Sequence, residues 1–379
     1  MKTGSARPWG VYVHVPWCRH RCPYCAFHVD TDAEPPWERF VDRVLEDYAA
    51  RREPFGEAPD TVFLGGGTPS RMPPGPLARL LAGLAPAPGA EITAEANPED
   101  VSPAWLEGAL RAGVNRLSLG VQSFDPKVAR RLGRGHTAPQ AREVAGRVAA
   151  SGIASWSLDL IFAVPGQPLE DLHSDLDAIL ATGAPHVSLY GLTLEPGTPL
   201  QRLAERGTLR PVDDEVWRAM YEAIVARLQA AGLARYEVSN FARPGHESAH
   251  NRLYWTDRPY LGIGPSAHGY APDGTRWVDL ADTAAWLDGA PPAVEHPSPE
   301  EAATDLLVSA LRGRDGVDLD HLHARTGHFL SASALAPLLA EGLLVARGRR
   351  IALGSPGYPV ADAVIRHLVR RLAKGAAPD

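Results

Sequence analysis

The chain has 379 residues, 45% of them apolar and 22% charged, and a formal net charge of −7. That size and balance describe a globular protein able to hold one large α/β domain and a smaller one. The negative charge excludes a global attraction to nucleic acid or anionic lipid. No apolar run reaches the roughly 18 residues that suggest a membrane span, and "MKTGSARPWG" has no apolar core of a secretory signal, so a cytoplasmic protein is expected.

The first element is the strand-like "VYVHV" (11–15), followed at once by "CRHRCPYC" (18–25), which contains every cysteine of the chain. A helix follows, with Trp37, Phe40, Val41, Val44, Leu45 and Tyr48 recurring at i, i+3, i+4 spacing. "TVFL" (61–64) runs into "GGGTPS" and the helical "PLARLLAGL". "EITAEA" (91–96) precedes a helix that Ser102 can cap, Pro103 can open and Gly113 can close. "RLSLGV" (116–121), "SWSLDLIF" (155–162) and "HVSLYGL" (186–192) continue the alternation with helices over 137–151, 168–181 and 213–231, and "YEVSN" (236–240) is a seventh candidate strand.

Repeated βα units require a parallel sheet with right-handed crossovers. Polar residues gather near strand ends: Cys18, Gly65–Gly66–Gly67, Glu95, Gln122 and Asp159. One such feature per strand predicts a partial (β/α)6 barrel whose functional rim lies at the strand C-termini. After about residue 290, "PPAVEHPSP" reads as a linker. Three short helices (299–312, 318–326, 331–343) and the hairpin-like "LLVARGRRIALG" then resemble a winged helix. Its wing carries Arg347, Arg349 and Arg350, but no equally basic recognition helix accompanies them, so a packing module is expected rather than a DNA reader. The expected division is therefore 1–290 and 291–379.

Three clustered cysteines, with no fourth in the chain, do not make a disulfide framework. Zinc would need a fourth ligand, which His14, His20 or His28 supplies numerically. A [4Fe–4S] cluster normally takes four thiolates, so three leave one iron open. A closed structural site has no reason to omit a ligand, whereas a site that chelates a small molecule does. The residues favour iron–sulfur.

C-x3-C-x2-C after the first strand resembles the radical S-adenosylmethionine (SAM) superfamily. There the open iron holds the amino and carboxylate groups of SAM, and an electron from the cluster cleaves the sulfonium to a 5′-deoxyadenosyl radical. "YVHVPWCRHRCPYC", "FLGGGTPS", "EANPE", "RLSLGVQSFD", "LGRGHT", "LDLIFAVPGQ", "HVSLYGLTLEPGTPL", "YEVSNFARPG" and "HNRLYW" occur in that order. Together they resemble the oxygen-independent coproporphyrinogen III oxidase-like group, and most closely its haem chaperone branch. The resemblance implies that Cys18, Cys22 and Cys25 ligate the cluster. It implies that Tyr12, Tyr24, Gly66, Gly67, Thr68, Glu95, Gln122, Arg134 and Asp159 line the SAM site. It also implies haem as a ligand, with His250 of "HNRLYW" offering an imidazole to iron and Tyr254 and Trp255 packing on the macrocycle.

Two functions follow from the resemblance: a haem chaperone that hands haem to target proteins, or a radical enzyme acting as a coproporphyrinogen III decarboxylase, methylase or cyclopropanase. The decarboxylases resemble C-x3-C-x2-C-x-C, and here Phe27 stands at the additional position. They also carry a longer leader before the first strand. Both differences, with the intact "HNRLYW", favour the chaperone. One departure is Ala26, where the chaperone pattern usually has Asp. Expected partners are haem, haem-accepting proteins and a reductant such as flavodoxin or ferredoxin. Nucleic acid is not expected, and membrane association only peripherally, through the targets.

Overall fold

A computed structural model describes residues 8–375; most of the stretch read for a leader therefore lies outside the described residues. Six strands run parallel and in sequential order: β1 (Gly10–Val15), β2 (Thr61–Gly66), β3 (Glu91–Ala96), β4 (Arg116–Gln122), β5 (Ser155–Phe162) and β6 (His186–Gly191). They form the expected partial barrel, because side-chain alternation sorts each strand into two faces. Val11, Val13, Val15, Val62, Leu64, Leu117, Leu119, Leu158 and Val187 face outward into one core with Phe40, Val44, Leu80, Leu106, Val148 and Leu176 of the crossover helices. Tyr12, Phe63, Glu95, Ser118 and Asp159 occupy the intervening positions and are less covered. Aliphatic residues thus bind the helices, and a row of polar and aromatic side chains is left for the lumen.

Local signals set the helix ends. Ser102 accepts a hydrogen bond from the Trp105 N–H, and Gly113 ends that helix at φ 105°, a left-handed conformation that costs glycine nothing. Thr137 and Gln140 cap the helix Ala138–Ala150 reciprocally.

Two parts of the sheet differ from the sequence expectation. The first four residues of "YEVSN", Tyr236 to Ser239, form a tight turn between two short strands, β7 (Ala234–Arg235) and β8 (Asn240–Ala242), which form the antiparallel edge beyond β6. Buried Glu237 explains this: its Oε1 accepts the Ser239 N–H at 3.1 Å, closing the turn that an extended strand would open. At the other edge, β9 (Tyr260–Ile263) pairs parallel to β1, followed by antiparallel β10 (His268–Tyr270), β11 (Arg276–Val278) and β12 (Ala293–Glu295). Residues 293–295, read as linker, are therefore the outermost strand. Alternating "AVE" is too short and exposed to be recognised without its partner.

The C-terminal helices Pro299–Ala310, Leu319–Thr326 and Ala332–Ala340 and the hairpin Leu344–Leu353 follow the winged-helix order, with a further helix, Ala361–Val369. Arg349 pairs with Asp320 at 2.9 Å and Arg350 with Asp318 at 3.1 Å, so two of the three wing arginines are neutralised by the module itself. The Arg314 N–H donates to the Tyr236 carbonyl, and Arg314 and Arg252 pair with Glu247 and Asp315, tying module to core. No helix among the described residues is long and apolar enough to cross a membrane.

Candidate cofactor site

The cysteine loop is pinned at its base. Trp17 is fully buried, edge-on to Trp37 and Phe40 at 5.0 and 5.2 Å. The Asp30 N–H donates to the Pro16 carbonyl at 2.7 Å, and the Cys18 N–H to the Asp30 carbonyl at 2.9 Å, closing residues 18–30 into a loop over the rim. Within it the Cys25 N–H donates to the Cys22 carbonyl. All three cysteines are free thiols. Burial, then the neighbouring thiols against the Thr68 hydroxyl, leaves the Cys18 pKa near 11. Burial likewise raises Cys25. Burial thus disfavours the free thiolate at Cys18 and Cys25; three soft sulfur donors on one short loop suit an iron–sulfur cluster. His14, His20 and His28 are engaged elsewhere: with the Tyr12 hydroxyl and His28 carbonyl, the Gly133 carbonyl, and the Thr283 hydroxyl.

The glycine loop abuts the cysteines. Thr68 donates Oγ1 to Cys18 Sγ at 3.2 Å and accepts from Asn97 Nδ2 at 3.1 Å. Gly66 has φ 104°, and a Cβ there would meet the His14 ring at 2.5 Å; one on Gly67 would lie 2.7 Å from the Val15 carbonyl. Both positions therefore exclude side chains for reasons internal to the fold. The Gly66 N–H donates to Glu95 Oε2 at 3.1 Å. Burial, reinforced by Asp159 and opposed by that N–H, pushes the Glu95 carboxyl up to about 8. Asp159 accepts from Ser118 Oγ at 2.6 Å and Ser157 Oγ at 3.2 Å. Gln122 stands at a register irregularity ending β4, with φ 68°, rare for a residue carrying a side chain.

Arg134 reaches across the rim. Its Nη1 lies 3.5 Å from both Cys22 Sγ and the Tyr24 hydroxyl, and its Nη2 donates to the Gly120 carbonyl at 2.8 Å and to Asn97 Oδ1. Its Nε is buried without a partner among the described residues, a donor that a bound carboxylate would satisfy. The structure thus brings Cys18, Cys22, Cys25, Tyr24, Gly66, Gly67, Thr68, Glu95 and Arg134 to one rim, with Gln122 at the end of β4. Tyr12 and Asp159 lie deeper in the lumen. Asn97, which links Thr68 to Arg134, was not singled out in the sequence; its place after β3 and before Pro98, in "EANPE", was the available signal.

His250 is elsewhere. It lies on the helix Ala249–Trp255, and its Nδ1 bonds with the Thr61 hydroxyl at 2.7 Å, at the start of β2. That is the opposite end of the barrel from the cysteines, about 20 Å away along a six-residue strand. Its Nε2 bonds with the Tyr254 hydroxyl at 2.9 Å, the ring is fully buried and stacks on Phe63 at 5.3 Å, and burial holds its pKa down at about 3. Both nitrogens are engaged, so this geometry leaves His250 no free lone pair for iron and makes it a satisfied core histidine. An unbroken series of aromatic contacts, Tyr12–Phe63–His250–Tyr254–Tyr260, joins the lumen to the outside of the barrel base.

Residues 12–179 match the radical SAM superfamily and residues 298–360 the HemN C-terminal domain. The chain is 38% identical to the heme chaperone HemW of Mycobacterium tuberculosis H37Rv, over 96% of this chain and 95% of that one. It is 40% identical to the Escherichia coli K12 heme chaperone HemW over 70% and 72% of the two chains. To the mitochondrial radical S-adenosyl methionine domain-containing protein 1 of Bos taurus it is 33% identical, over 97% and 89%. Its fold matches that of the E. coli coproporphyrinogen III oxidase HemN, a radical SAM enzyme, with a TM-score of 0.79 over 96% of this chain and 89% of that one, at 21% identity. By sequence over nearly its whole length, and by the thiol-bearing rim that the fold builds, the chain belongs to the HemW family of the radical SAM superfamily.

Proposed function

We propose that the protein is a haem chaperone: it binds haem, holds a [4Fe–4S] cluster and SAM at the barrel rim, and passes haem to acceptor proteins. The observation that carries this reading is the separation of the two ends. The thiol rim crowns the strand C-termini, while the "HNRLYW" helix closes the strand N-termini. Cargo held near that helix lies beyond reach of chemistry at the rim, as a molecule to be delivered unchanged requires. The HemW relatives support the same reading through their name.

In this proposal Cys18, Cys22 and Cys25 ligate three irons. A cluster held there would supply one-electron chemistry to SAM. The chain's own residues would fix SAM's orientation. Arg134, with its unpaired Nε, receives the carboxylate; Glu95 faces the ammonium beside Gly66–Gly67–Thr68; Asp159, Gln122, Tyr12 and Tyr24 line the remaining wall. The core, expected over 1–290, would extend through β12 to residue 295, and the C-terminal module, expected over 291–379, would begin with the helix Pro299–Ala310. The alternative, an enzyme acting on coproporphyrinogen III or a methylation or cyclopropanation substrate, is disfavoured by Phe27, which stands 65% exposed where an additional cysteine would be expected.

Haem titration of the full chain, followed by mixing with an apo-haemoprotein, tests the proposal. Stoichiometric haem uptake and transfer are expected, and failure to bind haem overturns it.

A further inference from the structure

A cleft of about 970 Å³ opens between the β9–β11 edge of the sheet and the C-terminal module. That is at the upper end of the roughly 300–1,000 Å³ of small-molecule sites, enough for a ligand as large as a macrocycle. Its walls are aromatic: Tyr254 and Trp255 from the "HNRLYW" helix, Tyr260 from β9 and Tyr270 from β10. Tyr254 meets Tyr260 edge-to-face at 4.7 Å. The indole Nε1 of Trp255 is shielded and has no hydrogen-bond partner among the described residues.

The cleft's polar groups divide into spent and free ones. Asp257 accepts from the Tyr270 hydroxyl at 2.6 Å and pairs with His321 at 2.9 Å. Asp305 pairs with Arg276. By contrast, Arg258 has no carboxylate partner among the described residues, and the exposed imidazole of His268 makes no side-chain hydrogen bond among them. His268 sits on a strand, not a mobile loop, with its backbone locked opposite Val278. One open imidazole on a rigid strand, flat aromatic walls, a free guanidinium and an unsatisfied indole N–H together suit a planar iron macrocycle with carboxylate side chains.

We propose that haem binds in this cleft, with His268 as the axial ligand of its iron and Arg258 and the Trp255 N–H receiving its propionates. The proposal rests on the chaperone reading and specifies its site. "HNRLYW" then acts in two parts: Tyr254 and Trp255 form the wall, and buried His250 positions Tyr254 through the 2.9 Å contact between Nε2 and the hydroxyl. His250 is a positioning residue, not an iron ligand.

The test is titration of the full-length protein and of His268→Ala, His250→Ala and His296→Ala with ferric haem, followed by the Soret band and by electron paramagnetic resonance. Metal-free protoporphyrin is the parallel probe. His268→Ala is expected to lose the imidazole-ligated signature and to bind haem roughly tenfold more weakly or worse, since even outer-sphere partners of a metal ligand are worth that much. Binding of metal-free protoporphyrin is expected to be equal in wild type and His268→Ala. His296→Ala and folded His250→Ala are expected to retain the imidazole signature. Haem binding by wild type with His268→Ala unchanged in spectrum and affinity overturns the cleft assignment and leaves the chaperone reading standing. Loss of the signature in folded His250→Ala or in His296→Ala also overturns it. A wild type that takes up no haem removes both.

Discussion

At the residue scale, chemistry at the rim depends on groups that are uncomfortable without their ligands. Burial raises the Cys18 and Cys25 thiols, so bare thiolates there are costly and the three-cysteine loop gains from a soft cluster that takes up its sulfurs. Replacing Cys18, Cys22 and Cys25 together by Ala should abolish the broad visible absorption of anaerobically reconstituted protein. Retention of about four irons per chain in that variant would contradict the ligand assignment. Glu95 gives a second handle. Its folded pKa of about 8 lies above its ordinary 4.5, so the native chain holds an extra proton between those values. Stability is therefore lost as pH rises through that window, and the penalty is complete above it. Glu95→Gln removes the titration, so its Tm relative to wild type, without SAM, should climb from about pH 5 to about pH 9. A difference independent of pH would show that Glu95 ionises normally.

At the element scale, strand ends and their loops decide which side chains meet. Gln122 holds a left-handed backbone at the irregularity ending β4, a strain of about 1 kcal/mol that the sheet imposes. Gln122→Gly should relieve it, raising unfolding free energy by about that amount in denaturant melts while weakening SAM binding. Unchanged SAM affinity would remove Gln122 from the site. His250 belongs to a different element and role. Its loss leaves a cavity and strands Thr61 and Tyr254, so His250→Ala should cost about 3 kcal/mol of stability by chemical denaturation. A loss within experimental error would mean that the helix does not rely on it. These elements were unequally legible in sequence. The six parallel strands and Ser102's cap could be read because apolar alternation and capping residues are local signals. The turn at Glu237 and the edge strand at 293–295 could not, because a buried carboxylate and a distant strand partner decide them. The cysteine rim was legible as a motif, whereas His250's distance from it depended on which end of the barrel its helix closes.

At the scale of the whole molecule, the two ends of the barrel are different environments. The rim is a polar, thiol-bearing site roofed by a pinned loop; the base is sealed by a histidine-bearing helix and flanked by an aromatic cleft against the C-terminal module. The module's own ion pairs absorb two wing arginines, which fits a partner in forming the cleft and not a nucleic-acid reader. Separation makes the two ligands independent in binding, so the triple cysteine variant should still take up haem with wild-type affinity. A parallel loss of haem in that variant would merge the two sites. The most direct measurement incubates reconstituted protein with reductant and SAM, adding haem or coproporphyrinogen III in parallel, and follows porphyrin products by mass spectrometry. The account predicts haem bound and recovered unmodified, and coproporphyrinogen III left with all its propionates; a vinyl-bearing, decarboxylated product would contradict it.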